Sequence, residues 1–226
     1  MKKHLPVMVW LLAASVMPLP LLAAAPESPP PRLPAGLSLR SIDEQALSPA
    51  MKEDILARAR LLREYKAIPI SDDRLPDFAA LEAEHRARGR ALDQLIADKK
   101  LAFAPADLSA TSLQGHAVAE ALPHGIYSNN TWSGVSRVFH HPELGYVVLE
   151  ETNLAVAGGG VAFSKEMINA DVNGAPATLM KRQGSEQRTE TSLSWYADGV
   201  LYLLRTPPID DKAGAALLAI ARRLKP

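Results

Sequence analysis

The sequence predicts an α+β fold: a helical N-terminal region followed by an antiparallel sheet with a C-terminal helix packed on it. Before residue 123, apolar residues recur at helical spacing. From Pro123 onward, β-branched and aromatic residues alternate with polar ones between Gly and Asn-Gly turns, as in strands. The chain ends with apolar residues three and four positions apart, the pattern of an amphipathic helix. Its 226 residues, 47% hydrophobic and 22% charged, suit one or two folded domains.

Residues 1–25 have the three parts of a secretory signal peptide. Lys2 and Lys3 supply the positive start, residues 5–22 the apolar segment, and the alanines ending at Ala25 a small-residue cleavage site. We therefore expect an exported protein, periplasmic or secreted.

An uncleaved membrane anchor is the alternative for this segment. Pro18 and Pro20 interrupt the apolar run, whose length is at the edge of what a spanning helix needs. Pro26 would follow the scissile bond directly, a position that slows cleavage. The chain has no Cys, which argues against a lipid-modified cysteine after the signal. We expect no stable membrane span after signal removal.

The charge balance and the missing cysteines exclude several classes of function. The full chain has 25 basic and 25 acidic residues. Cleavage of the signal removes Lys2 and Lys3 and no acidic residue, so the mature chain has 23 basic and 25 acidic residues and a net charge of −2. Such a balance gives no attraction to nucleic acid or anionic lipid. Without Cys the chain forms no disulfide and offers no thiolate.

The N-terminal part divides into a linker at residues 26–40 and a helical region at residues 41–122. The linker is Pro-rich and typical of an extended spacer. Ser48 and Pro49 suit the start of a first helix, whose apolar positions are Met51, Ile55, Ala59 and Leu62, with Pro69 ending it. A second helix starts near Asp73 or Leu75 and is interrupted by Gly89; its stripe is Phe78, Leu81, His85, Leu92 and Ile96. A third is expected from Thr111 or Ser112 through Leu122.

Residues 123–226 are predicted to form the sheet and the closing helix. The first strands are expected at Gly125–Asn129, Ser133–Phe139, Tyr146–Thr152 and Leu154–Phe163. Asn173-Gly174 is a strong hairpin turn. Pairing around it places Ile168, Ala170 and Val172 on one face with Ala175, Ala177 and Leu179.

The aromatic cluster near the C-terminus surrounds a second hairpin turn at Asp198-Gly199. Pairing across this turn places one apolar set on a single face: Trp195 with Tyr202, Leu193 with Leu204, and Ala197 with Val200. We interpret the cluster as core; a ligand platform is the alternative. The other face collects Ser192, Ser194, Tyr196, Leu201 and Leu203, so something is expected to cover it.

A final helix is expected after Pro207-Pro208, with Asp210 or Asp211 as its cap. Its apolar stripe is Ala213, Ala216, Leu217, Ile220, Ala221 and Leu224. An amphipathic helix that follows a sheet with one apolar face should lie on that face.

The last quarter of the chain resembles a known pattern of turn and core residues: Asn173-Gly174, Ala177, Leu193, Trp195, Asp198-Gly199, Tyr202, Leu204, Ile220-Ala221 and Leu224. It is similar to a small, largely uncharacterised domain of bacterial extracytoplasmic proteins, including some anti-sigma-factor and lipoprotein-carrier-like chains. The resemblance implies a helix-packed antiparallel sheet in an envelope-exposed protein with an apolar cargo or partner surface. It implies no catalytic residue.

The best metal candidate is the run His140-His141-Pro142-Glu143. Neighbouring residues of a strand point to opposite faces, so the two imidazoles rarely reach one ion; His116 and His124 would have to join by folding. Gly158-Gly159-Gly160 lacks the following helix of a phosphate loop and is interpreted as a turn or bulge. We expect no metal and no cofactor.

Other polar motifs also favour structural interpretations. Ser133-Gly134 and Ser164-Lys165 lack the surroundings of a nucleophilic serine, and Asn129-Asn130-Thr131 matches a glycosylation acceptor only incidentally. Two arginine clusters alternate with acids, as on a solvated helix face; a partner-binding face is the alternative. The clusters are Arg58, Arg60 and Arg63, and Arg86, Arg88 and Arg90.

The functional expectation is an exported non-enzymatic envelope protein that binds a partner protein or an apolar ligand, and not nucleic acid. No residue is assigned a catalytic, cofactor-binding or metal-binding role. The alternatives are an exported hydrolase with a scattered site and an inhibitor or immunity-type protein that neutralises a toxin. A continuous apolar cleft would favour ligand binding, whereas a cleft with His and carboxylates within hydrogen-bond reach would favour an enzyme.

Overall fold

A computed structural model describes residues 37–156, 161–186 and 188–225, so the predicted signal peptide and residues 26–36 of the predicted linker lie outside it. The strands are β1 (Leu37–Arg40), β2 (Ile68–Pro69), β3 (Leu122–Ser128), β4 (Thr131–His141), β5 (Gly145–Asn153), β6 (Val161–Ser164), β7 (Ala170–Val172), β8 (Ala175–Gln183), β9 (Thr189–Ala197) and β10 (Val200–Thr206). The helices are α1 (Pro49–Arg63), α2 (Phe78–Arg88), α3 (Leu92–Ala97) and α4 (Asp211–Ala221). No helix among the described residues is long and apolar enough to cross a membrane.

The predicted α+β class, with a largely antiparallel sheet and a C-terminal helix, is confirmed. An eight-stranded sheet has the order β2-β8-β9-β10-β5-β4-β3, with β7 also pairing with β8. The sheet is mixed because the short strand β2 runs parallel to β8. β1 and β6 form a separate parallel pair, so the end of the predicted linker is a strand.

Both predicted hairpins form in the expected register. Trp195 pairs with Tyr202, and Ala170 pairs with Ala177. The turn residues have the positive φ that a two-residue hairpin turn requires: Asn173 53°, Gly174 89°, Asp198 51° and Gly199 84°. Turn chemistry therefore sets the pairing of β7 with β8 and of β9 with β10.

The first face of the sheet is covered by α4, as its apolar stripe predicts. The Asp210 carboxylate caps this helix and accepts a hydrogen bond from the Ala213 N–H at 2.7 Å. The shared core includes fully or almost fully buried side chains from both layers: Leu193, Trp195, Tyr202, Leu204, Leu217 and Ile220. This apolar core is the largest in the described part of the chain.

The second face of the sheet is contacted by α1 and α2. The Ser48 hydroxyl caps α1 by accepting from the Met51 N–H at 3.3 Å, as predicted. Each helix contributes apolar contacts to a small cluster: Leu62 with Ile68 and Met180, and Phe78 with Val138 and Val148. The second face is thus packed against the N-terminal helices, although much of it is polar.

The outer side of β8 is covered by three short pieces of chain. β7 pairs with its start and β2 with its end. Between them, the Asn169 side-chain amide donates to the Leu179 carbonyl and accepts from the Leu179 N–H, both at 2.8 Å. Because an unpaired strand edge is a template for aggregation, this amide completes the protection of β8.

Three predicted elements differ from the structure. The segment predicted as a helix from Thr111 to Leu122 forms turns and pairs with the end of β4, through Ala117 opposite Phe139. Gly115, at a φ of 76°, interrupts any helix there. The long second helix is divided into α2 and α3 at Gly89, where a Cβ would lie 2.4 Å from the His85 carbonyl oxygen. The strand predicted at Leu154–Phe163 has a turn at residues 154–156 and is extended in β6, and residues 157–160 between them lie outside the described residues.

Candidate functional site

The aromatic cluster near the C-terminus is part of the core. The rings of Trp195 and Tyr202 stack with centroids 4.9 Å apart and an interplanar angle of 10°. Their exposed fractions are 3% and 2%. Burial raises the pKa of the Tyr202 hydroxyl to about 12. The pair is therefore inaccessible to a ligand, and the interpretation of this cluster as core is correct.

Large apolar side chains are instead exposed around the β3–β4 turn. Ile96, Ile126 and Tyr127 are 50%, 49% and 51% exposed, and Trp132 lies beside Tyr127. We call these four residues the aromatic corner. Sequence reasoning missed it, because Tyr127 does not stand out within its predicted strand and Trp132 lies just before the next one.

The β3–β4 turn fixes the two rings of the aromatic corner. Asn129 and Asn130 both have positive φ, so they form a tight turn that places Tyr127 opposite Trp132. The ring centroids are 4.9 Å apart, at an interplanar angle of 47°. The Tyr127 hydroxyl donates to Asn130 Oδ1 at 2.6 Å, and Lys100 Nζ donates to the same oxygen at 2.9 Å.

The chain that follows α3 is hydrogen-bonded to the same hairpin. The Trp132 N–H donates to the Lys100 carbonyl at 2.8 Å, and the Ala102 N–H donates to the Trp132 carbonyl at 3.0 Å. The Lys100 N–H in turn donates to the Leu95 carbonyl at 2.8 Å, which closes the end of α3. The end of α3, which carries Ile96, is therefore held next to the hairpin that carries the aromatic pair.

A β-bulge directs Ile126 and Tyr127 outward. Gly125 has a φ of 82°, and a Cβ there would lie 2.4 Å from the Ser133 hydroxyl oxygen. This hydroxyl accepts from the Ile126 N–H at 2.9 Å. Ser133, one of the serines considered from the sequence, is fully buried and completes the bulge.

A buried Ser-His pair connects α2 to β4. His85 Nδ1 lies 2.7 Å from the Leu81 carbonyl, which can only accept, so Nδ1 carries the proton. The Ser136 hydroxyl then donates to His85 Nε2, at 3.1 Å. This is the arrangement of an activated serine, but a carbonyl replaces the usual carboxylate, and His85 is 1% exposed. The pair joins a helix to the sheet and presents no nucleophile at the surface.

A second polar group on the same face surrounds His124. Its ring lies over Gly134, where a Cβ would be 2.4 Å from His124 Cε1. Nε2 of this ring is buried and has no hydrogen-bond partner in the part of the chain that the structure describes. Burial lowers the pKa of His124, with the nearby Glu150 carboxylate acting in the opposite direction. Glu150 also lies 3.5 Å from the Arg205 guanidinium.

The residues of the metal candidate are separated. His140 contacts the edge of the Tyr146 ring, with centroids 5.6 Å apart. His141 donates from Nε2 to the Ser112 hydroxyl at 3.1 Å, because its Nδ1 accepts from the Glu143 N–H at 3.2 Å. Among the described residues, no three His, Cys, Asp or Glu side chains are placed to hold a metal ion.

The remaining motifs have structural roles or lie outside the described residues. Ser164 accepts from Gln45 Nε2 at 2.9 Å and so connects β6 to the chain after β1. Three arginines pair with acids one helical turn before them: Arg58 with Asp54, Arg86 with Glu82, and Arg88 with Glu84. The predicted glycine turn, Gly158-Gly159-Gly160, lies outside the described residues.

Comparison of the chain with protein-family models, with curated proteins and with solved structures finds no significant match. The case for a function therefore depends on the geometry of the aromatic corner and of the polar second face.

Proposed function

We propose that this chain is an exported, non-enzymatic protein of the cell envelope that binds a partner protein through the aromatic corner. The observation that carries the proposal is a half-exposed tyrosine packed at a tilt against a tryptophan and tied by a hydrogen bond to the β3–β4 turn. Rigid aromatic side chains are favoured at the centres of protein interfaces, because they bury a large area at little entropic cost.

The packing of both sheet faces favours a protein partner over an apolar ligand held between sheet and helices. On the first face, α4 is packed directly against the strands, and Leu193, Leu204 and Leu217 are fully buried. The second face is lined with polar groups such as Ser192, Ser194 and Glu150, which an apolar ligand would leave without partners.

The partner is proposed to contact side chains rather than to add a strand to β3. Pro123 removes one backbone donor from this strand, and the bulge at Gly125 twists its outer edge. Both features protect edge strands from pairing with other chains. A toxin neutralised by this chain would be one such partner, so the inhibitor alternative belongs to the same proposal. Export is proposed from the signal pattern at residues 1–25.

Site-specific photo-crosslinking in intact cells tests the proposal. A photoreactive amino acid at Ile126 should give a discrete adduct with one protein, whereas the same amino acid at Tyr65, which is 70% exposed in another region, should not. Tyr127→Ser should abolish the adduct formed from position 126, because it removes the aromatic anchor.

Two results would contradict the proposal. One is an adduct that forms equally from positions 126 and 65, or that survives Tyr127→Ser. The other is recovery of the protein from the cytoplasmic fraction with Met1 intact, which would rule out export. Mass spectrometry of the adduct identifies the partner.

A further inference from the structure

We propose that the aromatic corner is acid-sensitive: protonation of His124 displaces its ring from Gly134 and loosens the β3–β4 hairpin that holds Tyr127 and Trp132. The regulatory meaning of this change depends on the proposed function, because the corner is the surface suggested for the partner. The structural change itself does not depend on a partner.

His124 and the aromatic pair lie on one face of the same two strands. His124 is paired with Gly134, and Tyr127 with Trp132. Because alternate residues of a strand share a face, Trp132 is the next residue on that face after Gly134. Gly134 leaves room for the imidazole, since any Cβ there would collide with it. A displacement of His124 therefore affects the pairing that positions Trp132.

The surroundings of His124 suit the neutral ring. Its buried Nε2 has no hydrogen-bond partner among the described residues, a tolerable state for a neutral acceptor. The backbone of Val135 accepts a hydrogen bond from this ring. A protonated imidazole carries a second N–H donor and a charge, and burying these unpaired is costly. Protonation in place would therefore oppose the packing of this ring on Gly134.

Three titratable or charged groups face His124 from the neighbouring elements: His85 from α2, Glu150 from β5 and Arg205 from β10. His85 uses both ring nitrogens in its bonds to Leu81 and Ser136, so it offers no acceptor. Of these three groups only Glu150 attracts a cation, but it is shared with Arg205, which repels one. The favourable response to protonation is movement of the ring toward water.

The direction of the pH effect follows from the lowered pKa of His124, which burial causes. When the hairpin opens, the imidazole regains its ordinary pKa of about 6.5 and binds protons more readily than in the closed form. The open form therefore gains population as the pH falls below about 6.5, and the closed form is favoured above it. Among the described residues β3 has a strand neighbour on one side only, so it can open locally.

Fluorine NMR of the mature chain labelled with fluorotryptophan tests this inference. With Trp10 removed in the signal peptide, only Trp132 and Trp195 remain, and the variant Trp132→Phe assigns their signals. Between about pH 8 and about pH 5, the Trp132 signal should shift or broaden with a midpoint below about 6.5, while the Trp195 signal stays constant.

The matched control is His124→Gln, which is neutral throughout this range and should remove the Trp132 transition; His85→Gln should retain it. An unchanged Trp195 signal at about pH 8 shows that the variants are folded, and His124→Leu takes the place of His124→Gln if the latter is not. A Trp132 signal that does not titrate, that titrates equally in His124→Gln, or that has a midpoint above about 6.5 would overturn the inference. A transition without a crosslinked partner would contradict the proposed function alone, and the reverse result would contradict acid sensitivity alone.

Discussion

At the residue scale, Trp195 is the side chain whose replacement should cost most on the first face of the sheet. It is 3% exposed and stacked on Tyr202. Trp195→Ala removes this contact and leaves a cavity, so the expected loss of unfolding free energy is about 3–5 kcal/mol. Thermal unfolding measures it. Trp132→Ala, at the rim of the aromatic corner, is the control and should lower stability much less.

A melting temperature of Trp195→Ala within about 2 °C of wild type would contradict this prediction, because so small a shift means a stability change well below the expected range. The packing of Trp195 on Tyr202 would then contribute little to the stability of the first face.

Residues with local signals could be predicted from the sequence, whereas those that depend on distant partners could not. The caps Ser48 and Asp210 and the pairing of Trp195 with Tyr202 follow from neighbouring residues and turn chemistry. His85 looked like one more member of a helical stripe. Its partner Ser136 lies 51 positions further along the chain, and no local sequence pattern predicts that contact.

At the element scale, Asn169 replaces a strand residue beside β8. Its amide makes two hydrogen bonds with the backbone of Leu179. Asn169→Ala removes both partners and exposes the edge, so stability should fall by about 1–3 kcal/mol. Asn169→Asp should cost at least as much, because a carboxylate can still accept from the Leu179 N–H but repels the Leu179 carbonyl. Urea unfolding of both variants checks this.

A near-wild-type midpoint for Asn169→Asp would show that the donor side of this amide contributes nothing. Amide hydrogen exchange at Leu179 gives an independent measurement, since its N–H should lose protection in Asn169→Ala but not in the surface variant Asn153→Ala.

Hairpins were the most predictable elements because the turn residues themselves select the conformation. The segment before β3 was the least predictable. Its sequence from Thr111 to Leu122 has helix-compatible residues, but two backbone hydrogen bonds join it to β4. The Val118 N–H donates to the Val138 carbonyl, and the His140 N–H donates to the His116 carbonyl. Pairing with a distant strand outweighs a weak helical propensity. The aromatic corner was missed for a similar reason, because the bulge that exposes Ile126 needs Ser133 from the next strand.

At the scale of the whole molecule, the sheet lies between two differently built layers. The first face is an apolar core closed by α4, whereas the second face meets the N-terminal helices through many polar side chains. Buried polar contacts add less to stability than apolar packing but specify position more strictly. Both proposals concern the edge of the sheet at β3: the aromatic corner is the proposed partner surface, and His124, on the second face, is the proposed source of its acid sensitivity.

The chain around Ala106 and Asp107, which packs on the first face and is called the crossing segment here, is hydrogen-bonded to a buried ion pair. Arg137 and Glu151 lie 2.6 Å apart, and Glu151 accepts from the Ala106 N–H at 2.7 Å. Arg137 also donates to the Ala106 carbonyl at 3.0 Å. The next residue, Asp107, bonds to the backbone of Lys225, beyond α4. This clamp therefore joins β4, β5, the crossing segment and the C-terminus.

Removing one side of this clamp should be far more damaging than replacing both. Glu151→Ala leaves the Arg137 charge without its counter-ion and the Ala106 N–H without an acceptor, and should cost about 3–5 kcal/mol in urea unfolding. In the double variant Arg137→Met and Glu151→Gln, the amide still accepts from Ala106 and no charge is buried, so the loss should be about 1–2 kcal/mol. Burial already raises the pKa of the Glu151 carboxyl, and glutamine resembles its protonated form. Equal losses in the two variants would mean that the ion pair itself, rather than the unpaired charge, determines the stability of this layer.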